Sequence, residues 1–218
     1  MTGPSRGKFI VFAGADCSGK DTVVERVYEA WAGAGIRYMT TSEPTRDTYG
    51  VDIMGRLAGG GSIDPVELTL LFALDRARHL RMIEERLASG EHVLASRYVE
   101  SSLVYQGPAV EADPRFAGSD GARWVREVNR LFRAPDLYVV IDVPDAVLAE
   151  RVAARGKPDR FEADVALQRR VAAAYRELRQ TLGGQVPVAY VPGHFERDHV
   201  ADLALLTLRA MLGIGAPA

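Results

Sequence analysis

The sequence has a single cysteine and almost no net charge, and these two features limit the classes of protein to which it can belong. One cysteine, Cys17, excludes an internal disulfide and is typical of a reducing compartment, so we expect a cytoplasmic protein. A net charge of -2 over 218 residues gives no electrostatic reason to expect binding to nucleic acid or to an anionic membrane. No apolar run approaches the ~20 residues that span a bilayer, and the N-terminus lacks the layout of a signal peptide.

The chain also lacks internal repeats, low-complexity tracts and linkers, which predicts a single domain over residues 1–218. Strand-like runs alternate with helical patterns along it. This alternation favours an α/β fold in three layers, with a central parallel sheet and helices on both faces. The predicted strands are Phe9–Phe12, Arg37–Thr41, His92–Ser96, Leu137–Val143 and Val186–Val191.

Capping signals locate the longest helix, from Pro65 to about Ser89. Asp64 is the predicted N-cap, Glu67 completes a capping box, and Gly90 ends the helix. The segment Gly107–Gly121 is rich in Pro, Gly, Asp and Ala, which predicts an exposed connection. Three further helices are predicted, over Asp145–Ala154, Ala163–Leu182 and His199–Leu212.

A glycine-rich loop follows the first predicted strand and keeps the spacing Gly-x4-Gly-Lys. In such a loop the glycines let backbone N–H groups turn toward a phosphate, and the lysine and the next helix's N-terminus add positive potential. The strand before it and the helical pattern after it are the setting that this motif requires. We therefore expect ATP phosphates at Gly14, Ala15, Asp16, Cys17, Ser18, Gly19, Lys20, Asp21 and Thr22.

One ligand of this loop is exchanged, because Asp21 stands where the motif has a Ser or Thr whose hydroxyl reaches Mg²⁺. A carboxylate there faces the negative charge of the nucleotide. It is tolerable mainly with a divalent cation in between, since carboxylate oxygens bind Mg²⁺ well. Asp21 is therefore a candidate metal ligand.

Five basic residues are expected at the rim where parallel strands end and ligands bind. Arg46 and Arg97 follow predicted strands, whereas Arg155, Lys157 and Arg160 lie in a loop after the helix that follows the fourth strand. Phosphoryl transfer needs such groups, because fixed positive charges stabilise the charge on the transferred phosphoryl oxygens. Lys20, Arg97, Arg155 and Arg160 are the catalytic candidates, and Arg155 and Lys157 are also expected to bind ATP.

Side chains for a second substrate are less specific. Phe72 and Arg76 share a helix face, where they would suit a base, although a core Phe72 and an Arg76 paired with an acid would look the same. His79 and His92 are predicted to be structural. The segment 96–107 offers hydroxyls and an amide suited to a sugar and a base edge.

Six landmarks in this order resemble the thymidylate kinase family. They are Gly-Ala-Asp-Cys-Ser-Gly-Lys, Ser-Glu-Pro-Thr, Leu-Leu-Phe-Ala-Leu-Asp-Arg, Arg-Tyr-x3-Ser-x3-Tyr-Gln-Gly, Ala-Pro-Asp-Leu-Tyr and Arg-Gly-Lys-Pro-Asp-Arg-Phe-Glu. The resemblance covers about Phe9 to Glu162. It implies the P-loop nucleoside-monophosphate kinase fold, a homodimer, and a basic lid of the bacterial type at about 153–162. The implied reaction is phosphorylation of a pyrimidine deoxynucleoside monophosphate by ATP with Mg²⁺; dTMP is the default acceptor, and an enzyme for an unusual pyrimidine nucleotide would look much the same.

The resemblance also assigns roles at the acceptor site. Asp16 would contact the 3′-hydroxyl, Phe72 would stack on the base, and Tyr105 would lie beside C2′ and disfavour a ribose. The base edge would be read by Arg76 and Gln106, and the acceptor phosphate held by Arg46 and Arg97. Further acceptor-site candidates are Glu43, Pro44, Ser101 and Ser102, and the metal candidates are Asp16, Asp21 and Ser96.

Two departures from the family pattern are linked in this interpretation. The family has Ser or Thr at the position of Asp21, and it usually has Asp at the position of Ser96. The hydroxyl and the carboxylate look exchanged. If both face the same Mg²⁺, one oxygen of each type is preserved. The alternative is drift in a divergent copy.

Two other functions stay open. A deoxynucleoside kinase also carries a P-loop and a Glu-Pro turn, but its 5′-hydroxyl acceptor needs a general base, for which Glu43 would serve. A nucleotide-binding protein with little turnover would explain the changed metal-site residues. Retention of Lys20, Arg97 and the basic loop residues favours the monophosphate kinase.

Overall fold

The computed structural model describes residues 6–59, 63–116, 118–154 and 164–214. Its sheet has five parallel strands in the order β2-β3-β1-β4-β5. The strands are β1 (Phe9–Ala13), β2 (Tyr38–Ser42), β3 (His92–Ser96), β4 (Leu137–Asp142) and β5 (Val188–Pro192). The helices are α1 (Lys20–Gly33), α2 (Thr48–Ala58), α3 (Pro65–Ala88), α4 (Val99–Glu111), α5 (Gly121–Asn129), α6 (Asp145–Ala154), α7 (Val165–Arg176), α8 (Leu178–Thr181) and α9 (Arg197–Leu212), with one 3₁₀ turn at Pro114–Phe116.

The central strand β1 shows why the sheet needs a layer of helices on each face. All five of its residues are buried. Since successive side chains of a strand point to opposite faces, both faces must be covered. The predicted α/β fold with a parallel sheet is confirmed, and all five predicted strands are present with ends shifted by at most two residues.

The order of the strands determines where a ligand binds. β1 lies between β3 and β4, so the chain builds the sheet first to one side of β1 and then to the other. Such a reversal opens a crevice at the carboxyl ends of the strands, and the loop that follows β1 lies in it.

The start of α3 confirms Asp64 as the predicted N-cap, whereas the Glu67 carboxylate, predicted to complete a capping box, lies 2.9 Å from Arg56 Nη1. The Asp64 side chain accepts hydrogen bonds from the backbone N–H groups of Val66 and Glu67, at 2.9 and 3.0 Å. The helix then continues for 24 residues.

The predicted exposed connection at Gly107–Gly121 is wrong in its first part, because α4 continues to Glu111 with Pro108 inside it. Gly107 and Gly121 serve close packing here. A Cβ on Gly107 would lie 3.1 Å from Cα of Ala122, and one on Gly121 would lie 2.4 Å from the Gly107 carbonyl oxygen. The glycines therefore let α4 and α5 approach each other.

The helix predicted over Ala163–Leu182 is also shorter than expected. Ala163 lies outside the described residues, α7 begins at Val165, and the chain breaks at Glu177 before α8. None of the helices in the described ranges is long and apolar enough to cross a membrane.

Candidate active site

The loop after β1 has the conformation that its glycines predict. Gly14 has a φ of +147°, and a Cβ there would lie only 2.8 Å from the Ile141 carbonyl oxygen. Gly19 has a φ of +91° and precedes α1, whose first turn no described side chain caps. The N–H groups of that turn are therefore available to an anion. Ser18 Oγ is buried in the same loop and has no partner among the described residues.

Lys20 lies at the start of α1 with its side chain almost fully buried. Its Nζ is 3.8 Å from Asp21 Oδ2 and 4.0 Å from Asp16 Oδ1. Burial lowers the pKa of Lys20 to about 8, with the charge of Arg97 acting in the same direction and the two aspartates opposing it. Bound phosphates would add negative charge beside the ammonium group and favour its charged form.

Asp21 and Ser96 meet although they come from different elements. Ser96 ends β3, and its Oγ donates a hydrogen bond of 2.5 Å to Asp21 Oδ1. The Asp21 side chain is still 72% exposed toward the crevice, so the pair offers a carboxylate and a hydroxyl side by side. These oxygens fit Mg²⁺. Within the described ranges no group of three or more His, Cys, Asp or Glu side chains forms a metal site.

Arg97 and Asp16 form the polar centre of the site. Arg97 follows β3 with a φ of +67°, and its Nη2 donates to Asp16 Oδ1. Tyr105 donates to Asp16 Oδ2 at 3.0 Å. Burial would raise the pKa of Asp16, but the charges of Arg97 and Lys20 outweigh it and hold that pKa below its usual value. Asp16 is therefore an ionised hydrogen-bond acceptor, held by Arg97 on one oxygen and by Tyr105 on the other.

Two α7 residues that sequence reasoning missed also reach this centre. The hydroxyl of Tyr175 accepts from Arg97 Nη1 at 3.3 Å and lies 2.9 Å from Ser101 Oγ. Gln168 is buried and forms a hydrogen bond with Asp16. Nothing in the local sequence of α7 distinguishes them from other residues of an amphipathic helix.

A cavity of about 400 Å³ opens from this centre, between α2, α3 and α4. Phe72 is half-buried in its wall, and Gln106 Oε1 is buried without a partner among the described residues. An unpaired amide oxygen beside an aromatic ring suits a base with a donor edge. The predicted acceptor residues that line the cavity are Asp16, Glu43, Pro44, Phe72, Arg76, Arg97, Ser101, Tyr105 and Gln106.

At the base of the cavity Arg76 pairs with an acid, as one of the two sequence interpretations held. Its Nη2 lies 2.7 Å from Glu43 Oε2, and its Nη1 donates to Asn129. The other Glu43 oxygen lies 3.1 Å from Nδ1 of His79, whose Nε2 lies 2.7 Å from Thr41 Oγ1. All of this cluster except Thr41 is buried. His79 is thus structural, as predicted.

Other predicted residues lie elsewhere. Ser102 is buried and accepts from Arg76 at 3.2 Å, without lining the cavity. Arg46 is exposed and faces a separate open cleft, which Asp21 and Ser96 also line. The basic loop residues Arg155, Lys157 and Arg160 lie outside the described residues.

Arg151 is a further residue that the sequence did not single out. Its guanidinium donates to the Ser18 carbonyl at 3.0 Å and to the Gly193 carbonyl at 2.8 Å. It also lies 3.5 Å from the Cys17 carbonyl. Arg151 therefore ties the outer turn of the phosphate-binding loop to the loop that follows β5.

Comparison with known proteins gives a consistent result. The family model described as thymidylate kinase matches residues 12–188. A probable thymidylate kinase of Pyrobaculum calidifontis is 35% identical over 205 residues, which cover 92% of this chain and 99% of the relative. A thymidylate kinase of Nitrobacter winogradskyi is 36% identical over 181 residues, 79% of this chain and 76% of the relative.

Proposed function

The chain belongs to the thymidylate kinase family, and we propose that it transfers the γ-phosphate of ATP to dTMP to form dTDP and ADP. The observation that carries this proposal is the junction of two sites. The phosphate-binding loop and the cavity of about 400 Å³ meet at Asp16 and Arg97, so a phosphate in the cavity would face one in the loop.

The residues around this junction suit an in-line transfer between two phosphates. Lys20 would neutralise charge on the transferring group, and Arg97 would hold the acceptor phosphate. Asp16 would receive the 3′-hydroxyl of the sugar, with Tyr105 crowding C2′. Phe72 would stack on the base while Gln106 bonds its edge. The acceptor oxygen is already ionised, so the reaction needs no general base.

Asp21 and Ser96 would together hold a Mg²⁺ ion beside the phosphate-binding loop, with Asp16 as a third candidate ligand. The ion would supply charge neutralisation at the phosphate oxygens. Support comes from the 2.5 Å contact between the two side chains, which brings one carboxylate and one hydroxyl oxygen to the same point. The exchange of residue types relative to the family would then leave the ligand chemistry intact.

Glu43 disfavours the rival function of a deoxynucleoside kinase. A general base takes up the proton of the acceptor hydroxyl and thereby loses its own negative charge. Both Glu43 oxygens are already engaged, one by Arg76 at 2.7 Å and the other by His79 at 3.1 Å. Arg76 and Glu43 are almost completely buried, and separating them would leave an uncompensated charge.

Three further features belong to the proposal. A lid at about 153–162 would bring Arg155, Lys157 and Arg160 over ATP. The protein would act in the cytoplasm. It would form a homodimer, because α2 and α3 expose apolar residues that a second copy could cover. These residues are Val51, Met54, Leu70 and Leu74. Sedimentation of the full chain at micromolar concentration tests the dimer.

The function is tested by ADP release in a coupled assay with ATP, Mg²⁺ and one acceptor at a time. We expect turnover with dTMP, weaker turnover with dUMP and none above background with thymidine. Thymidine as the better acceptor would favour the deoxynucleoside kinase. Nucleotide binding without ADP release from any acceptor would favour a protein with little turnover.

A further inference from the structure

Glu100 is a buried acid that the proposed reaction leaves unused. It is the second residue of α4, its exposed fraction is 0%, and its Oε2 has no hydrogen-bond partner among the described residues. An unpaired carboxylate oxygen in the interior destabilises a fold. An apolar side chain would avoid that cost at a helix position without exposure, so the acid calls for another explanation.

The other carboxylate oxygen is the end point of a chain of hydrogen bonds. Glu100 Oε1 accepts from the Tyr98 backbone N–H and from Ser101 Oγ, both at 3.1 Å. Ser101 Oγ lies 2.9 Å from the Tyr175 hydroxyl, which lies 3.3 Å from Arg97 Nη1. The chain thus runs from the acid to the guanidinium at the centre of the site.

The chemistry of the two ends sets the direction of every bond between them. A guanidinium only donates and a carboxylate only accepts. Arg97 must therefore donate to Tyr175, Tyr175 to Ser101, and Ser101 to Glu100. Without an acceptor at the end, the hydroxyl hydrogens of Ser101 and Tyr175 lose their fixed direction, and so do the lone pairs that these oxygens present to Arg97 Nη1.

We propose that Glu100 is a positioning residue, which acts through Ser101 and Tyr175 to fix the Arg97 guanidinium that receives the acceptor phosphate. The inference rests on the proposed function, because Arg97 has this task only if the acceptor is a monophosphate. Glu100 itself touches neither substrate.

The charge of Glu100 gives this role a signature that a purely structural helix cap lacks. Burial raises the pKa of Glu100 to about 7, while the charge of Arg76 and the hydrogen bonds to the carboxylate pull it down. Facing Glu100 are Arg76 from α3, Tyr98 at the start of α4, Tyr138 from β4 and Tyr175 from α7. Burial raises the pKa of all three phenols, which are therefore neutral near pH 7. The titrating group is therefore the acid, and its ionised form is the stronger acceptor.

The test compares Glu100→Gln, Glu100→Leu and Tyr175→Phe with the wild type, using dTMP and ATP with Mg²⁺. Gln keeps an acceptor oxygen but cannot ionise. We divide the kcat/KM for dTMP of the wild type by that of Glu100→Gln. This ratio should rise about threefold from pH 6 to pH 8, with a midpoint near pH 7. Titration of the dTMP phosphate and of Lys20 affects both proteins and cancels in the ratio.

Glu100→Leu should raise the KM for dTMP about tenfold and leave the KM for ATP within about twofold, because only the acceptor side loses its support. Combined with Tyr175→Phe it should cost clearly less than the sum of the two single changes in free energy, since both interrupt the same network; Arg97 Nη1 also lies 3.5 Å from Ser101 Oγ, so Tyr175→Phe leaves a direct contact between Arg97 and Ser101. Glu111→Gln is the matched control: Glu111 lies on the same helix and accepts from the Ala122 N–H at 3.3 Å, and this change should alter neither KM.

A flat or falling ratio between pH 6 and 8, or strictly additive effects of the two changes, would overturn the inference. If Glu100→Leu does not fold, the Glu100→Gln ratio and Tyr175→Phe still decide. Failure of the proposed function looks different, because the wild type itself would then not phosphorylate dTMP.

Discussion

Ser96 Oγ donates a hydrogen bond of 2.5 Å to Asp21 Oδ1, which joins the end of β3 to the start of α1 beside the phosphate-binding loop. The two side chains thus meet where the exchange of residue types predicts a shared metal. Asp21→Ser leaves two hydroxyls and no carboxylate, and Ser96→Asp places two carboxylates beside the phosphates. We expect each single change to lower Mg²⁺-dependent turnover about 10- to 100-fold.

The double variant Asp21→Ser/Ser96→Asp should be much more active than expected from adding the free-energy losses of the two single variants, because it restores one oxygen of each type. Turnover measured over a Mg²⁺ titration checks this cycle. Strictly additive losses would mean that the two residues do not share a metal, and drift would then be the better explanation.

The contacts of Arg151 lead to a prediction about the binding of ATP alone. It holds the Ser18 and Gly193 carbonyls at 3.0 and 2.8 Å, so Arg151→Met should loosen the loop that binds the ATP phosphates. The KM for ATP should rise about tenfold while the KM for dTMP stays unchanged. Arg26→Met is the control, since Arg26 lies exposed on α1 and pairs with the exposed acids Glu29 and Asp198. An equal rise in both KM values would contradict this role.

Arg76→Met should destabilise the fold by roughly 3 to 5 kcal/mol, because it leaves the Glu43 carboxylate buried without its charge partner. Urea denaturation measures the free energy of unfolding. Adding Glu43→Gln should recover part of the loss, since the remaining side chain is neutral. No recovery would mean that packing of the guanidinium, and not the ion pair, carries the stability.

Glu100 should make the fold less stable as the pH rises. Its folded pKa of about 7 lies above the ordinary 4.5, so folding favours the protonated acid. The stabilisation is complete below pH 4.5 and is lost as the pH passes through 7. The free energy of unfolding of Glu100→Gln, relative to that of the wild type, should therefore increase by on the order of 3 kcal/mol from pH 4 to pH 8. Parallel urea titrations at both pH values check the difference, and a constant difference would refute it.

Short-range patterns predicted the parts of this molecule that depend on neighbouring residues. The phosphate-binding loop follows from glycine conformations within a few positions, and the start of α3 follows from Asp64 and its two backbone partners. The same local rules failed at Gly107, where glycine allows close contact with the next α-helix, α5. Composition alone does not distinguish a glycine that bends the chain from one that lets helices touch.

The supporting residues of the site could not be predicted, because their partners are far away along the chain. Tyr175 reaches Arg97 across 78 residues, and Arg151 reaches Ser18 across 133. Pairing of Arg76 with an acid was one of two sequence interpretations, but the sequence did not identify that acid as Glu43, 33 residues away. Such pairings depend on how the helices pack, which periodicity in one sequence does not specify.

Phosphorylation of dTMP is tested most directly by the dTDP formed from dTMP, ATP and Mg²⁺, separated by chromatography, for the wild type and Lys20→Ala. We expect stoichiometric dTDP and ADP from the wild type, and a rate lower by about three powers of ten or more in the variant, because the positive charge that neutralises the transferring phosphates is lost. A wild type that forms no dTDP, or a Lys20→Ala variant that keeps a near-normal rate, would contradict the proposed function.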